Sequence, residues 1–291
     1  MRADHDNKQV FVRQSWLGDT LICPRRGKYA ITLPQMRRGS SETALGTAFH
    51  TAIETILRDG PQDGYAETVD HDLMAMAIDN GMGSYHHEIG LNILVTQEWS
   101  NETVYALLES MVSAWVRDIS PHVPRGGEIE KKFQFPLNEF AINGYSIFME
   151  GTADYLAPDG TLWDWKTAKR KYSAREKQLQ SVQATMYTMM LAQQQQRDEY
   201  LFNFGVVIRS EKSSGHITTV RRTSNHHGWL ARQTVGAVNA MFSAGDLFMN
   251  DNHFLCSSKW CPWYSVCRGA HISASDDYVP VQVDSPATST V

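Results

Sequence analysis

Hydrophobic and polar positions change period along the chain, and the changes divide it into elements. From Glu128 to Leu137 they alternate, with Phe133 and Phe135 on one side and Lys132 and Gln134 on the other, which predicts a strand. A second β-prone run spans Gly144 to Ala157 and a third Thr161 to Thr167, with the turn formers Pro158, Asp159 and Gly160 between them. Leu201 to Arg209 is apolar and continuous enough for a central strand, and Ile217 to Val220 follows as its hairpin partner. Elsewhere the period is helical. Thr43 to Leu57 repeats apolar residues at Leu45, Phe49, Ile53 and Ile56, and Trp99 to Ile119 does so through Val104, Leu107, Leu108, Met111 and Trp115. Arg175 to Gln196 and Trp229 to Phe248 complete the expected helices, and Pro24 stops any helix from running unbroken through residues 10–30. The fold class this predicts is α/β, a central mixed sheet flanked by helices. Residues 60–125 form a helical insertion, and no repeat or linker-like break divides the chain.

The hairpin at 151–169 carries the densest chemistry. With its loop centred on Asp159, Asp154 and Asp164 stand directly opposite each other, and opposed residues share a face with Cβ atoms ~4.5–5.5 Å apart. Lys166 shares that face, while Trp163 and Trp165 point the other way. Like charges opposed across strands repel, and a divalent cation such as Mg²⁺ or Mn²⁺ relieves this through oxygen ligands. The plainer reading is a solvated hairpin with an Asp–Lys pair; the flanking Trp and Leu residues argue against full solvation.

Other candidates are weaker alone. His50 and Glu54 are four apart on their helix and therefore neighbours, a spacing that is usually only a surface interaction. Gln180, Gln183 and Tyr187 fall on one face of the 175–196 helix. His86 and His87, being adjacent, point in different directions and share no metal. The basic cluster after Cys23 is either a solvated face or a phosphate contact, and taken alone it reads as the former.

Composition narrows the class. The chain has 291 residues, 42% hydrophobic and 20% charged, as in ordinary globular proteins. A net charge of -5 means that a nucleic-acid partner needs a local basic groove. Met1 to Lys8 is polar without a signal-peptide core, and no stretch approaches a membrane span, so a cytoplasmic protein is expected. In a reducing compartment its 4 cysteines point to metal or thiol chemistry rather than disulfides. Three of them, Cys256, Cys261 and Cys267, lie in one short segment with Trp and Tyr between them, as in loops that give thiolates to zinc or an iron–sulfur cluster. The remaining cysteine, Cys23, is the available fourth ligand, with free buried cysteines as the alternative. Beyond Cys267 the chain turns polar, and residues 273–291 are expected to form a flexible tail.

Taken together these motifs resemble the RecB-like, iron–sulfur exonuclease branch of the PD-(D/E)XK nuclease superfamily, to which CRISPR-associated and phage exonucleases belong. The family's Gly-x-x-x-His with an acid four residues on matches Gly46, His50 and Glu54. Its second-motif aspartate matches Asp154 after Gly151, its D/E-x-K matches Asp164 and Lys166, and its Gln-x-x-x-Tyr matches Gln183 and Tyr187. Its cluster cysteines match Cys23, followed by Pro, then Cys256, Cys261 and Cys267. Four residues rather than the usual two separate Cys256 from Cys261, which keeps zinc as an alternative to a 4Fe-4S cluster. No Walker A sequence is visible.

The resemblance implies a restriction-endonuclease-like core with a cysteine-ligated cap, one nuclease domain over residues 1–272. It implies a Mg²⁺- or Mn²⁺-dependent DNA exonuclease, acting on single-stranded ends in recombination, repair or phage and CRISPR DNA processing, alongside protein partners of that kind. His50, Asp154, Asp164 and the Trp165 carbonyl would bind the metal. Lys166 would stabilise the transition state, with Glu54 in an outer role. Gln183 and Tyr187 would position the DNA, helped by Lys169, Arg170 and Lys171, and the helical insertion would restrict the site to strand ends. The alternative from another class is a non-catalytic DNA-binding recombination accessory protein with a cysteine-bound metal.

Overall fold

The computed structural model describes residues 1–37, 39–65, 69–90, 99–243, 245 and 247–268. The tail expected at 273–291 lies outside the described residues. The chain falls into two compact units, Met1–Met249 and Asn250–Val291.

The first unit is built on a mixed sheet flanked by helices, as its pattern predicts. Its strands are β1 (Arg2–Asp4), β2 (Gln9–Arg13), β3 (Glu128–Ile142), β4 (Tyr145–Leu156), β5 (Leu162–Ala168), β6 (Tyr200–Ile208) and β7 (Ser214–Arg222). The order is β1-β2-β4-β5-β6-β7, with β3 paired to β4 off that path. The pairs β2–β4 and β5–β6 are parallel and the others antiparallel. The helices are α1 (Gln14–Ile22), α2 (Pro24–Thr32), α3 (Ser41–Asp59), α4 (His71–Gly90), α5 (Asn101–Asp118), α6 (Ala174–Gln180), α7 (Val182–Ala192) and α8 (Ser224–Phe242).

Several boundaries differ from expectation, each for a local reason. β2 is a five-residue run whose apolar centre, Val10, Phe11 and Val12, is buried, too short for its period to stand out among polar neighbours. α1 and α2 are separated only by Cys23, with Pro24 in the first turn of α2, where a missing N–H costs nothing. α3 starts at Ser41 because Ser40 and Thr43 form a capping box. The helix expected over 175–196 is two helices: the chain turns extended at Ser181, whose hydroxyl accepts the Ala184 N–H and starts α7 afresh. The last helix ends at Phe242 rather than Phe248.

One feature of the sheet shapes everything near the carboxylates. β4 pairs with β2 over 146–150 and with β5 only at 155–156, along the edge opposite β3. Residues 151–154 therefore lie where β4 has left one neighbour and not yet met the other. Tyr187 of α7 occupies this gap. The Thr152 N–H donates to its hydroxyl, and its ring is so close to Gly151 that a Cβ there would come within 2.5 Å.

Two apolar clusters flank the sheet. One joins sheet residues to α1, α7 and α8 and includes Leu17, Met186 and Leu230. The other joins them to α3, α4 and α5 and includes Phe49, Tyr85 and Trp115. Trp165 anchors the second: fully buried, it meets Trp115 edge to face at 5.4 Å and stacks on Trp163 at 5.7 Å. Both tryptophans of β5 thus point away from Asp164, as alternation requires. Among the described residues no helix is long and apolar enough to cross a membrane.

The second unit is described to Arg268 and consists of turns. Trp263 is buried, its carbonyl accepts the Cys267 N–H at 3.0 Å, and Arg268 pairs with Asp251 at 3.2 Å.

Gly205 on β6 lies beside Trp165, and a Cβ there would sit 2.7 Å from the indole ring and 3.4 Å from Ile119. Gly205→Ala should therefore overpack the second core and lower stability by roughly 1–3 kcal/mol. Urea unfolding checks this, and an unchanged midpoint would show that Trp165 has room to move.

Candidate active site

The gap in β4 exposes one end of the β4–β5 pair, and chemistry collects there. The register Tyr155↔Trp163 and Leu156↔Leu162, carried one residue further, sets Asp154 opposite Asp164. The ladder stops at that point. The Asp154 carboxylate instead accepts the Trp165 backbone N–H at 2.7 Å, so a side chain closes the strand pair where a carbonyl ordinarily would. Asp164 is almost fully buried. Its Oδ1 accepts from the Gln183 amide at 2.5 Å, and Lys166 Nζ stands 2.5 Å from its Oδ2. That ammonium lies off the hydrogen-bonding direction, so Oδ2 has charge beside it but no well-aligned donor. From α3, His50 Nδ1 reaches within 3.4 Å of Asp154 Oδ2.

Five of the expected residues thus converge: His50, Asp154, Asp164, Lys166 and Gln183. Tyr187 joins from the gap. Gln180 does not, because the break at Ser181 leaves it at the end of α6. Gly46, one turn before His50, has room for a Cβ, which would meet only Thr167 Oγ1 at an ordinary 3.8 Å. Lys169, Arg170 and Lys171 are exposed just beyond β5.

Glu54, one turn after His50, pairs with Arg58 at 3.7 Å and also faces a carboxylate that the sequence reading passed over, Glu130 of β3. Register pairs Ile129↔Tyr155 and Lys131↔Ala153 bracket Glu130 against Asp154. Its φ of 50° is rare for a residue with a side chain. The alternation that sets Lys132 and Gln134 on the polar side includes Glu130, so the signal was present.

The electrostatics follow from crowding acids in a poorly hydrated space. Burial, then the Asp164 charge, pushes the Asp154 carboxyl up to about 6. Burial, then Glu54 and Asp154, pushes Glu130 up to about 7. Burial opposes the Lys166 charge, but Asp164 and Asp154 outweigh it and hold the ammonium above the usual lysine range. Burial and the same two aspartates raise the Tyr187 phenol to about 12, so it stays protonated at neutral pH.

Carboxylate oxygens beside an imidazole nitrogen are donors that suit a hard divalent cation. The poorly served Asp164 Oδ2 and the raised Asp154 carboxyl mark negative charge that such a cation would satisfy. In the arrangement described, Lys166 supplies the positive charge at Oδ2. Among the described residues no group of three or more His, Cys, Asp or Glu side chains is gathered to hold a metal ion. Each of the four cysteines is partly buried: Cys23 lies between α1 and α2 in the first unit, and Cys256, Cys261 and Cys267 lie in the second.

Comparison with known proteins gives a consistent picture. The family profile of the PD-(D/E)XK nuclease superfamily matches residues 15–268. A candidate exonuclease from Eubacterium rectale superposes with a TM-score of 0.53 over 88% of this chain and 92% of its own, at 9% identity, which shows a shared fold. The structure of SSO0001 aligns over 92% of this chain and 89% of its own with a TM-score of 0.40 and 10% identity. No curated protein matches the sequence.

The raised carboxyls make stability depend on pH. The folded state keeps protons on Asp154 and Glu130 up to about pH 6 and 7, whereas the unfolded chain has already lost them. Without metal, this contribution to stability should be complete in acid, fall as pH rises through roughly 4–7, and then level off. Asp154→Asn, uncharged throughout, should gain stability over the wild type across that window. Urea midpoints of both proteins in chelator check it; a constant difference would mean that Asp154 is not raised.

Proposed function

Because the chain belongs to the PD-(D/E)XK nuclease superfamily, we propose that it is a metal-dependent exonuclease that hydrolyses phosphodiester bonds at single-stranded DNA ends. The observation that carries this reading is the convergence of Asp154, Asp164 and Lys166 at the open end of the β4–β5 pair, with Gln183 and Tyr187 beside them.

In this reading His50, Asp154, Asp164 and the Trp165 carbonyl hold Mg²⁺ or Mn²⁺. A bound divalent ion supplies charge relief at the phosphate and a water of lowered pKa. Gln183 fixes the Asp164 carboxylate by donating to Oδ1, leaving Oδ2 for the cation. Lys166, beside Asp164, would stabilise the charge that grows on the phosphate oxygens in the transition state. Tyr187, protonated at neutral pH, donates a hydrogen bond to the strand. Glu54 and Glu130 stand outside the inner ligands and draw in cations. Lys169, Arg170 and Lys171 attract the DNA backbone.

Action at ends is supported by the fold shared with the candidate exonuclease of Eubacterium rectale, and by the expectation that the helices of 60–125 limit access. The rival reading, a non-catalytic DNA-binding accessory protein, gives no reason for a lysine set against a buried aspartate. A cytoplasmic role in recombination, repair or CRISPR-type processing, in one nuclease domain over 1–272, remains part of the proposal. So does a 4Fe-4S cluster, or zinc, on Cys23, Cys256, Cys261 and Cys267, which rests on the sequence pattern.

Lys166→Ala should slow cleavage of end-labelled single strands in Mg²⁺ by about 10²–10³-fold and leave DNA binding by the folded protein nearly unchanged, while lowering the metal-free unfolding midpoint because Asp164 and Asp154 lose their cation. Near-normal turnover would remove Lys166 from the chemistry, and absence of cleavage in the wild type with either metal would favour the accessory protein.

The cysteine proposal has its own readout. Protein purified without oxygen should be brown, with roughly four irons per chain, and Cys23→Ser should bleach it. A colourless preparation with stoichiometric zinc would replace the cluster by zinc, and full metal retention in Cys23→Ser would exclude that cysteine as a ligand.

A further inference from the structure

A groove of about 570 Å³ opens beside the catalytic carboxylates. Its floor is the part of β4 from Glu150 to Thr152, where the strand leaves β2, and its walls include Arg13, Ser15, Lys132, Gln134 and Tyr187. It lies next to the active site. Tyr187 lines both, and Asp154 follows Thr152 by two residues, about 7 Å along the strand.

The groove holds more positive charge than its one acid can pair. Glu150, its one acid, accepts from Arg13 Nε at 2.8 Å and from Arg2 Nη2 at 3.0 Å, so two guanidiniums serve a single carboxylate. Lys131 is tied to Glu128 at 2.5 Å, but the exposed Lys132 forms no ion pair among the described residues. Arg13 and Lys132 against Glu150, which Arg2 from outside the lining also pairs, leave the groove cationic in a chain whose net charge is -5. Its lining is about equally polar and apolar, with Phe133 and Tyr187 beside Ser15, Gln134 and Thr152, which add neutral hydrogen-bonding groups. A phosphodiester would find cations and hydroxyls for its oxygens here, and apolar surface for its sugar.

We propose that this groove is a phosphate subsite for the substrate strand, holding a backbone phosphate next to the scissile one. Lys132 and Arg13 meet its charge, and Ser15, Gln134 and Thr152 contact its oxygens and sugar. The strand then runs along β4 from Asp154 towards the start of α1. This rests on the nuclease reading for its ligand and adds the path of the strand and Lys132 as a binding residue.

The test separates binding from cleavage. Fluorescence anisotropy of a labelled single-stranded oligonucleotide in chelator, over a series of salt concentrations, measures affinity whether or not the protein cuts. Lys132→Ala should lower the slope of log affinity against log salt by about 0.7, the share of one phosphate contact on a single strand. Lys132→Glu should weaken binding roughly tenfold or more, and Lys132→Arg should restore it. Oligonucleotides carrying one neutral methylphosphonate at successive linkages should reveal a position where the wild type loses affinity and Lys132→Ala loses no more. In Mg²⁺ the same substitution should raise KM far more than it lowers kcat. An unchanged salt slope together with no sensitive linkage would overturn the subsite while leaving the nuclease intact. Loss of the slope in a protein that never cleaves would support the groove and defeat the nuclease reading.

Discussion

Two carboxylates buried side by side repel each other, and the structure around Asp154 and Asp164 contains that repulsion without abolishing it. Each aspartate receives one donor that fixes its plane, the Trp165 N–H for Asp154 and the Gln183 amide for Asp164. One cation, Lys166, is set against both. The balance is incomplete, since Asp154 is still pushed up to about 6 and Glu130 to about 7. Residual negative charge in a fixed geometry is costly to stability and is what a site for a cation requires.

The fold creates room for this by letting β4 change partners. A strand fully paired on both edges would have no backbone free for Tyr187 to meet and no reason for a carboxylate to accept the Trp165 N–H. Between residues 150 and 155 the sheet gives up ladder hydrogen bonds, and side chains from β4 and α7 replace them. Gly151 belongs to the same arrangement: only a residue without a Cβ lets the Tyr187 ring approach this closely. The aspartates stay in place because β5 is held from behind, where Trp163 and Trp165 are locked among Trp115 and the α3–α5 core.

Much of this was legible in the sequence, because it depends on period and local turn chemistry. The alternation of β3 and β5, the turn at Pro158–Gly160 and the four-residue spacing of His50 and Glu54 are local signals, and the hairpin register that opposes Asp154 and Asp164 follows from them. What escaped depends on partners distant in sequence. The parallel pairing of β2 with β4 joins residues more than a hundred positions apart, and no local pattern announces it. The break at Ser181 was hidden because Gln and Met continue the helical composition across it, while the capping hydroxyl that makes it is a single residue. Glu130 was visible in the alternation but gains its meaning only from Glu54 on another element. The paired arginines on Glu150 come from β1 and the end of β2, and they too need the fold to meet.

The spacing of His50 and Glu54 can now be given a geometric reason. They lie on α3 above two adjacent strands: His50 meets Asp154 of β4, and Glu54 meets Glu130 of β3. Neighbouring strands are about 4.8 Å apart, and four residues of helix advance about 6 Å while returning nearly to the same face. A helix crossing a strand pair can therefore address both strands with residues four apart. An acid one position earlier or later would be turned by about 100° and would leave Glu130 alone. The motif is thus the spacing at which a 3.6-residue helix comes into step with a sheet. That step brings His50 to Asp154 and Glu54 to Glu130 beside the opening where Lys166 stands.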